Sequence, residues 1–305
     1  MSPTTAAPPV TRLAAGLPAT TPFVGPEAIE RRLGRRFALR LGANESAFGC
    51  APAVRAVLEA ETARVSWYCD PAHHELREKL AGLLGVARAN IAIGEGIDGL
   101  LGLLVRSTLE PGEPVVVSAG SYPTFAYHVN GYGGRLVAVP YRAEGANDLS
   151  ALAAAATREA AKLVYLANPD NPTGSFLGAA EIARLLDALP ENCLLALDEA
   201  YAEFAPRAAL LPLDAEDPRL LRFRTFSKAH GLAGLRIGYV VAAPATIAVF
   251  EKLRLHFGVG RLSQLAAAAA LDAHAFAEQV VAEVERGRRD YQALGQRLGL
   301  PTLQG

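Results

Sequence analysis

From Asn90 onward, short apolar runs alternate with helical patterns, and that alternation leaves few folds open. The runs predicted as strands are Ile91–Ile93, Pro114–Ser118, Arg135–Pro140, Lys162–Ala167, Cys193–Leu197, Leu220–Thr225 and Arg236–Val241. Several are continuously apolar, as a sheet covered on both faces requires. Helical patterns lie between most of them, at Ile97–Leu109, Tyr122–Tyr132, Leu149–Ala160 and Gly178–Leu189. Strands alternating with helices predict an α/β fold with a mostly parallel, doubly wound sheet. Ahead of this region, residues 1 to about 36 read as an irregular arm with a short helix at Glu27–Leu33. Beyond it, Pro244 to about Leu298 reads as almost all helix, and the sequence stops at Gly305 without a closing strand or helix.

The 305 residues hold roughly two domains at about 150 residues each. Hydrophobic residues at 51% suffice for a sizeable core. Lys plus Arg is 30 against 31 for Asp plus Glu, a net charge of −1. That balance argues against a nucleic acid or a membrane surface recognised through bulk charge. Cys50, Cys69 and Cys193 form no C-x-x-C pair and suit a reducing cytosol. No apolar run reaches membrane-spanning length. Pro8, Pro9, Pro18 and Pro22 interrupt any signal-peptide core. The expectation is a soluble cytoplasmic chain.

In sheets of this kind ligands bind beyond the carboxyl ends of the strands, and four segments there carry unusual polar residues. Gly94-Glu95-Gly96-Ile97-Asp98-Gly99 opens a helix whose free N–H groups suit an anion. It also matches G-x-G-x-x-G, a weak signal by itself that equally describes a capped glycine turn. Asn168-Pro169-Asp170-Asn171-Pro172-Thr173-Gly174 makes a rigid turn, either a plain loop or one aiming Asn171 into a site. Asp198-Glu199-Ala200-Tyr201 puts a carboxylate at the end of a buried strand, costly unless paired. A helix cap or a cationic ligand nitrogen would each account for Asp198. In Arg224-Thr225-Phe226-Ser227-Lys228-Ala229-His230-Gly231, with Arg236 following, anion-binding groups bracket Lys228. A lysine beside an arginine in a semi-buried loop tends to lose its proton, and a neutral amine can form a Schiff base. His230 reads as a loop residue near the site.

One ligand answers all four segments: pyridoxal 5'-phosphate (PLP), with a phosphate, an aldehyde, a phenolic oxygen and a pyridine nitrogen. The glycine-rich helix start with Thr225, Ser227 and Arg236 suits the phosphate, and Lys228 the aldehyde. Asn171 and Tyr201 suit the phenolic oxygen, and Asp198 the ring nitrogen.

The strings T-F-S-K-A-H-G-L-A-G-L-R-I-G-Y, N-P-D-N-P-T-G and L-D-E-A-Y, in this order and spacing, resemble fold-type I PLP enzymes, and among them the class II aminotransferases of the histidinol-phosphate aminotransferase group. The resemblance runs from about Pro22 to the end of the chain. It implies an aspartate-aminotransferase-like large domain and assigns Lys228 as the Schiff-base lysine and proton shuttle. Asp198 pairs with the ring nitrogen, while Asn171 and Tyr201 hold the phenolic oxygen. Tyr122 stacks on the ring. Gly96, Ile97 and Asp98 meet the phosphate, with Thr225, Ser227 and Arg236. Tyr68 reaches the phosphate of the partner subunit, which implies a homodimer. Asn44 lines the substrate entrance.

The chain departs from the family pattern G-N-G-S-D-E, with Glu95, Ile97 and Gly99 at the Asn, Ser and final Glu positions, and from N-E-N-P-Y-G, which reads Asn44-Glu45-Ser46-Ala47-Phe48-Gly49. The division expected is 1–45 as arm and part of a small domain, 46–260 as the PLP-binding large domain, and 261–305 as connecting helices and the start of an incomplete small domain. In family members the arginine that grips the substrate carboxylate lies in that last domain, so the resemblance assigns no such arginine within these 305 residues. The expected reaction moves an amino group between an amino acid, such as histidinol phosphate or an aromatic amino acid, and a 2-oxo acid. The alternatives are a threonine-phosphate-type PLP decarboxylase, a PLP-binding remnant without turnover, and a nicotinamide oxidoreductase built on the Gly94–Gly99 turn.

Overall fold

The computed structural model describes residues 9–18, 23–300 and 302. Pro8, Pro22 and Gly305, used above, lie outside the described residues. In chain order the helices and strands are α1 (Arg12–Gly16), α2 (Pro26–Leu33), α3 (Pro52–Glu61), α4 (His74–Leu84), β1 (Ile91–Gly94), α5 (Gly96–Thr108), β2 (Pro114–Ser118), α6 (Pro123–Gly131), β3 (Arg135–Val139), α7 (Leu149–Glu159), β4 (Leu163–Ala167), α8 (Ala179–Ala188), β5 (Leu194–Asp198), β6 (Leu220–Thr225), β7 (Gly238–Val241), α9 (Pro244–Leu253), α10 (Arg261–Asp272) and α11 (His274–Arg297). All seven expected strands form, and they join one sheet in the order β1-β7-β6-β5-β4-β2-β3. Strands β2 to β6 pair in parallel, whereas β7 runs antiparallel to both β6 and β1.

Alternate residues of each strand feed opposite layers, as the two-residue side-chain period demands. Val115, Val117, Tyr165 and Phe223 pack with Leu100 and Leu104 of α5, Phe125 of α6 and Phe250 of α9. Val116, Val164, Leu166 and Leu195 pack the other way, onto Leu152 of α7 and Ile182 and Leu185 of α8. A third cluster sets Ile91, Ile93, Tyr239 and Val241 against α3, α4 and α10. This two-faced cover explains why β2 and β4 are almost wholly apolar, whereas β6 carries Arg222 and Arg224.

The stretch from Pro244 is almost all helix, as expected, in three pieces with a break over Arg254–Gly260, where Gly258 and Gly260 interrupt the pattern. Two expectations change. The last strand starts at Gly238 and not at Arg236, because Arg236 sits in the left-handed region at φ 47°. The arm carries a further short helix, α1, whose Thr11 hydroxyl accepts from the Ala14 N–H. Helices α3 and α4 were not among the expected elements.

The topology assembles the site. Neighbours β4, β5 and β6 all end at the same sheet edge, so the loop after Ala167, Asp198 itself, and Thr225 to Lys228 lie side by side. Because β7 is antiparallel, it begins where β6 ends: Gly238 pairs with Thr225 on one side and Gly94 on the other. That brings Arg236 and the Gly94–Ile97 turn to the same edge. The G-x-G-x-x-G segment therefore follows a strand with only an antiparallel neighbour, unlike the parallel βαβ unit of a dinucleotide site. The nicotinamide reading loses its structural context.

Candidate active site

Asp198 closes β5 and is 5% exposed. Its Oδ2 accepts from the Tyr165 hydroxyl at 2.7 Å and its Oδ1 from the Ala200 N–H at 3.0 Å. Among the described residues no Lys, Arg or His lies within ion-pair distance of it. Burial accordingly pushes its pKa up to about 6. The neighbouring Glu199 is treated in the opposite way. Arg222 grips it through Nε at 3.0 Å and Nη2 at 2.6 Å, and Arg224 Nε adds a third contact at 2.9 Å. Two adjacent carboxylates thus differ in kind: one is neutralised within the fold, the other awaits a cation.

Lys228 Nζ donates to the carbonyls of Ala43 and Asn44 at 3.1 and 3.2 Å. Both carbonyls are turned toward it by residues in the left-handed region, Ala43 at φ 62° and Asn44 at φ 50°. Asn44 Nδ2 in turn donates to the Tyr201 hydroxyl at 2.9 Å. Burial, and then the charge of Arg236, lower the Lys228 pKa. A neutral amine that spends its two N–H groups on carbonyls keeps a lone pair for attack on a carbonyl carbon. Burial raises the Tyr201 hydroxyl above its ordinary value.

Gly96 (φ 72°) opens α5, and a Cβ there would lie 2.5 Å from Arg236 Nη2. The missing side chain is what allows the guanidinium against the helix start. Arg236 stands 4.0 Å from Asp98, and the Tyr122 hydroxyl donates to Asp98 at 3.1 Å. Thr225 and Ser227 face each other, Oγ to Oγ, at 3.0 Å. Ile97 is buried and brings only its backbone. His230 packs beside Phe226, and burial lowers its pKa to about 4.

Asn44, Asn171, Tyr201 and Lys228 line one cavity of about 860 Å³. Tyr68 is not among its lining residues. It lies 82% exposed beside Phe257, with ring centroids 4.9 Å apart. The far wall came as no expectation: Val280, Val281, Val284, Glu285 and Arg288 of α11. Only the tertiary path of α11 brings them there, so no local pattern announces them. Tyr165 was also missed, because a tyrosine inside an apolar strand reads as core.

Gly231 holds the Lys228 loop in place. It sits at φ 71°, and a Cβ would collide with the Gly49 carbonyl oxygen. Gly231→Ala should cost about 3 kcal/mol through left-handed strain and overpacking against backbone. Urea denaturation measures this, and a variant as stable as the parent would disprove so close an approach.

The donor set fits PLP. There is a buried carboxylate without a cation for a protonated ring nitrogen, an amine of lowered pKa for an aldehyde, and a glycine cradle with Arg236, Thr225 and Ser227 for a phosphate. These are the groups that a pyridoxal-phosphate enzyme needs. Residues 38–304 match the family Aminotransferase class I and II. Histidinol-phosphate aminotransferase 2 of Carboxydothermus hydrogenoformans is 36% identical over 267 residues, 86% of this chain and 73% of that protein. An aromatic amino acid aminotransferase of Rhodococcus jostii is 39% identical over 269 residues, 86% of this chain and 75% of its own. The crystal structure of histidinol-phosphate aminotransferase from Sinorhizobium meliloti in complex with pyridoxal-5'-phosphate superposes with a TM-score of 0.93 at 49% identity, covering 98% of this chain and 82% of that one. The chain belongs to the class I and II aminotransferase family, as a PLP-dependent aminotransferase with the aspartate-aminotransferase-like fold. No helix among the described residues is long and apolar enough to cross a membrane.

Proposed function

We propose that this aminotransferase takes its amino group from a donor with a ring-bearing side chain, histidinol phosphate or an aromatic amino acid, and passes it to a 2-oxo acid. The observation that carries the reading is Lys228, an amine of lowered pKa at the wall of the cavity that Asn171 and Tyr201 share. Phe48, Phe176 and Phe204 line that cavity and suit a planar side chain. The names of the relatives from Carboxydothermus and Rhodococcus agree with both donors.

PLP, when bound, supplies an electron sink that makes the donor's α-proton acidic. Lys228 Nζ is the base that takes this proton and the acid that returns it. Asp198 holds the ring-nitrogen proton in place. Tyr201 and Asn171 orient the phenolic oxygen, and Asn44 fixes Tyr201. Gly96, Ile97 and Asp98 with Thr225, Ser227 and Arg236 hold the phosphate, and Tyr122 covers the ring.

The same reading includes a homodimer in which Tyr68 reaches the partner subunit's site, in the cytoplasm, with a cofactor domain over 46–260 flanked by 1–45 and 261–305. Tyr68 and Trp67, 82% and 61% exposed, support the dimer, because monomer surfaces seldom leave such rings uncovered. Titrating the purified chain with PLP and then with histidinol phosphate, phenylalanine and a 2-oxo acid tests the reading. A visible band bleached by a ring-bearing donor and restored by the 2-oxo acid is the expected result. A band bleached only by small or acidic donors would overturn the donor assignment.

A further inference from the structure

Tyr165 is the one fully buried tyrosine that the roles above leave unused. Its ring stacks on Phe125 at 4.4 Å and 15° between planes, which fixes its direction. Phenylalanine would fill this core equally well, so the hydroxyl needs its own account. That hydroxyl donates to Asp198 Oδ2 at 2.7 Å, across from β4 to β5.

The sheet register shows how the contact is built. In the parallel β4–β5 pair, Tyr165 lies opposite Ala196, and Ala167 lies opposite Asp198. Tyr165 and Asp198 thus stand on a diagonal of one sheet face, and alanines fill both remaining corners. Diagonal neighbours come within reach only of long or aromatic side chains. Two small corners leave the path between ring and carboxylate open.

We propose that Tyr165 is a positioning residue for the cofactor: its hydroxyl keeps the Asp198 carboxylate ionised and in a single orientation for the protonated ring nitrogen of PLP. The inference rests on the reading of Asp198 as the partner of that nitrogen. The chemistry is directional. A donor to a carboxylate stabilises the charged form, and it does so most where water and cations are absent. Among the described residues Asp198 has one other donor, the Ala200 N–H. Burial already raises its proton affinity, and the phenol opposes that tendency from the one direction the alanine corners leave open.

The test is a double-mutant cycle of Tyr165→Phe and Asp198→Asn, read by PLP dissociation constants and by the Asp198 carboxyl resonance in the 13C-labelled chain free of PLP. Tyr165→Phe should fold, weaken PLP binding about tenfold and raise the carboxyl midpoint by about one pH unit, the usual effect of removing one hydrogen bond to a buried charge. In the Asp198→Asn background the same substitution should change PLP affinity less than about twofold, since contacting residues are non-additive when one acts through the other. An unmoved carboxyl midpoint, an equal loss in both backgrounds, or a Tyr165→Phe chain that fails to fold would each overturn the proposal. Unchanged PLP affinity in Asp198→Asn alone would instead overturn the pairing of Asp198 with the ring nitrogen. The carboxyl midpoint still reports separately on the phenol.

Discussion

Replacing Lys228 with alanine should abolish turnover, with a loss of about 10⁴-fold or more, the upper range for a general acid–base group. The expectation follows from two separate duties of one nitrogen. As a nucleophile the amine needs its lone pair, which its lowered pKa makes available at a lower pH than an ordinary lysine would. As a base it must stay within reach of the substrate's α-carbon, and the carbonyls of Ala43 and Asn44 hold it at the cavity wall. Lys228→Arg should fail almost as badly, because a guanidinium does not give up its proton. The check is steady-state turnover alongside the absorbance of the PLP-loaded chain. Wild-type-like turnover in Lys228→Ala would remove the lysine from the mechanism altogether. Removing the methylene stem also frees the Tyr201 ring, whose centroid lies 5.5 Å from Nζ. The variant should nevertheless fold, since its side chain contributes no packing to the apolar clusters.

How far the sequence carries such an argument depends on the range of the contacts. The strand ends were legible because a polar residue directly after an apolar run is a local signal. Asp198 and the loop after Ala167 both have that form. Strand order supplied the rest by placing β4, β5 and β6 side by side. What stayed hidden is long-range. The carbonyls that receive Lys228 lie at Ala43 and Asn44, far away in the chain. The two arginines on Glu199 come from β6, and their alternation in Leu-Leu-Arg-Phe-Arg-Thr was the only trace of them. They decide which of two neighbouring carboxylates stays without a cation. Nothing local distinguishes Asp198 from Glu199 in that respect. Arg236 was misread as strand for a physical reason as well. Its left-handed backbone breaks an otherwise β-like string, and that break lets its guanidinium turn back to Gly96.

Asp198→Asn should separate stability from function, improving the chain without cofactor while disabling the loaded one. Burial pushes the Asp198 pKa up to about 6, from an ordinary value of 3.8. The native state then holds its proton more tightly than the unfolded chain between about pH 4 and pH 6. Stability falls as pH rises through that window and stays lower above it, by roughly 2–4 kcal/mol. The amide removes this cost. Its oxygen can accept from the Ala200 N–H, and its N–H₂ can donate to the Tyr165 oxygen, so neither partner is orphaned. At pH 8 the cofactor-free variant should therefore melt above the parent, and below about pH 4 the difference should vanish. With PLP the order reverses. The parent gains an ion pair in a dry site, whereas the variant leaves a protonated ring nitrogen without its carboxylate. Removing one partner of a buried pair costs about 3–5 kcal/mol, or roughly 10²- to 5 × 10³-fold in PLP affinity or turnover. Thermal melts at pH 4 and pH 8, with and without PLP, read all four corners. A variant less stable than the parent at pH 8 without PLP would show that Asp198 already has its counter-charge within the fold. The strand end at Asp198 would then lose its main reason to select a cationic ring.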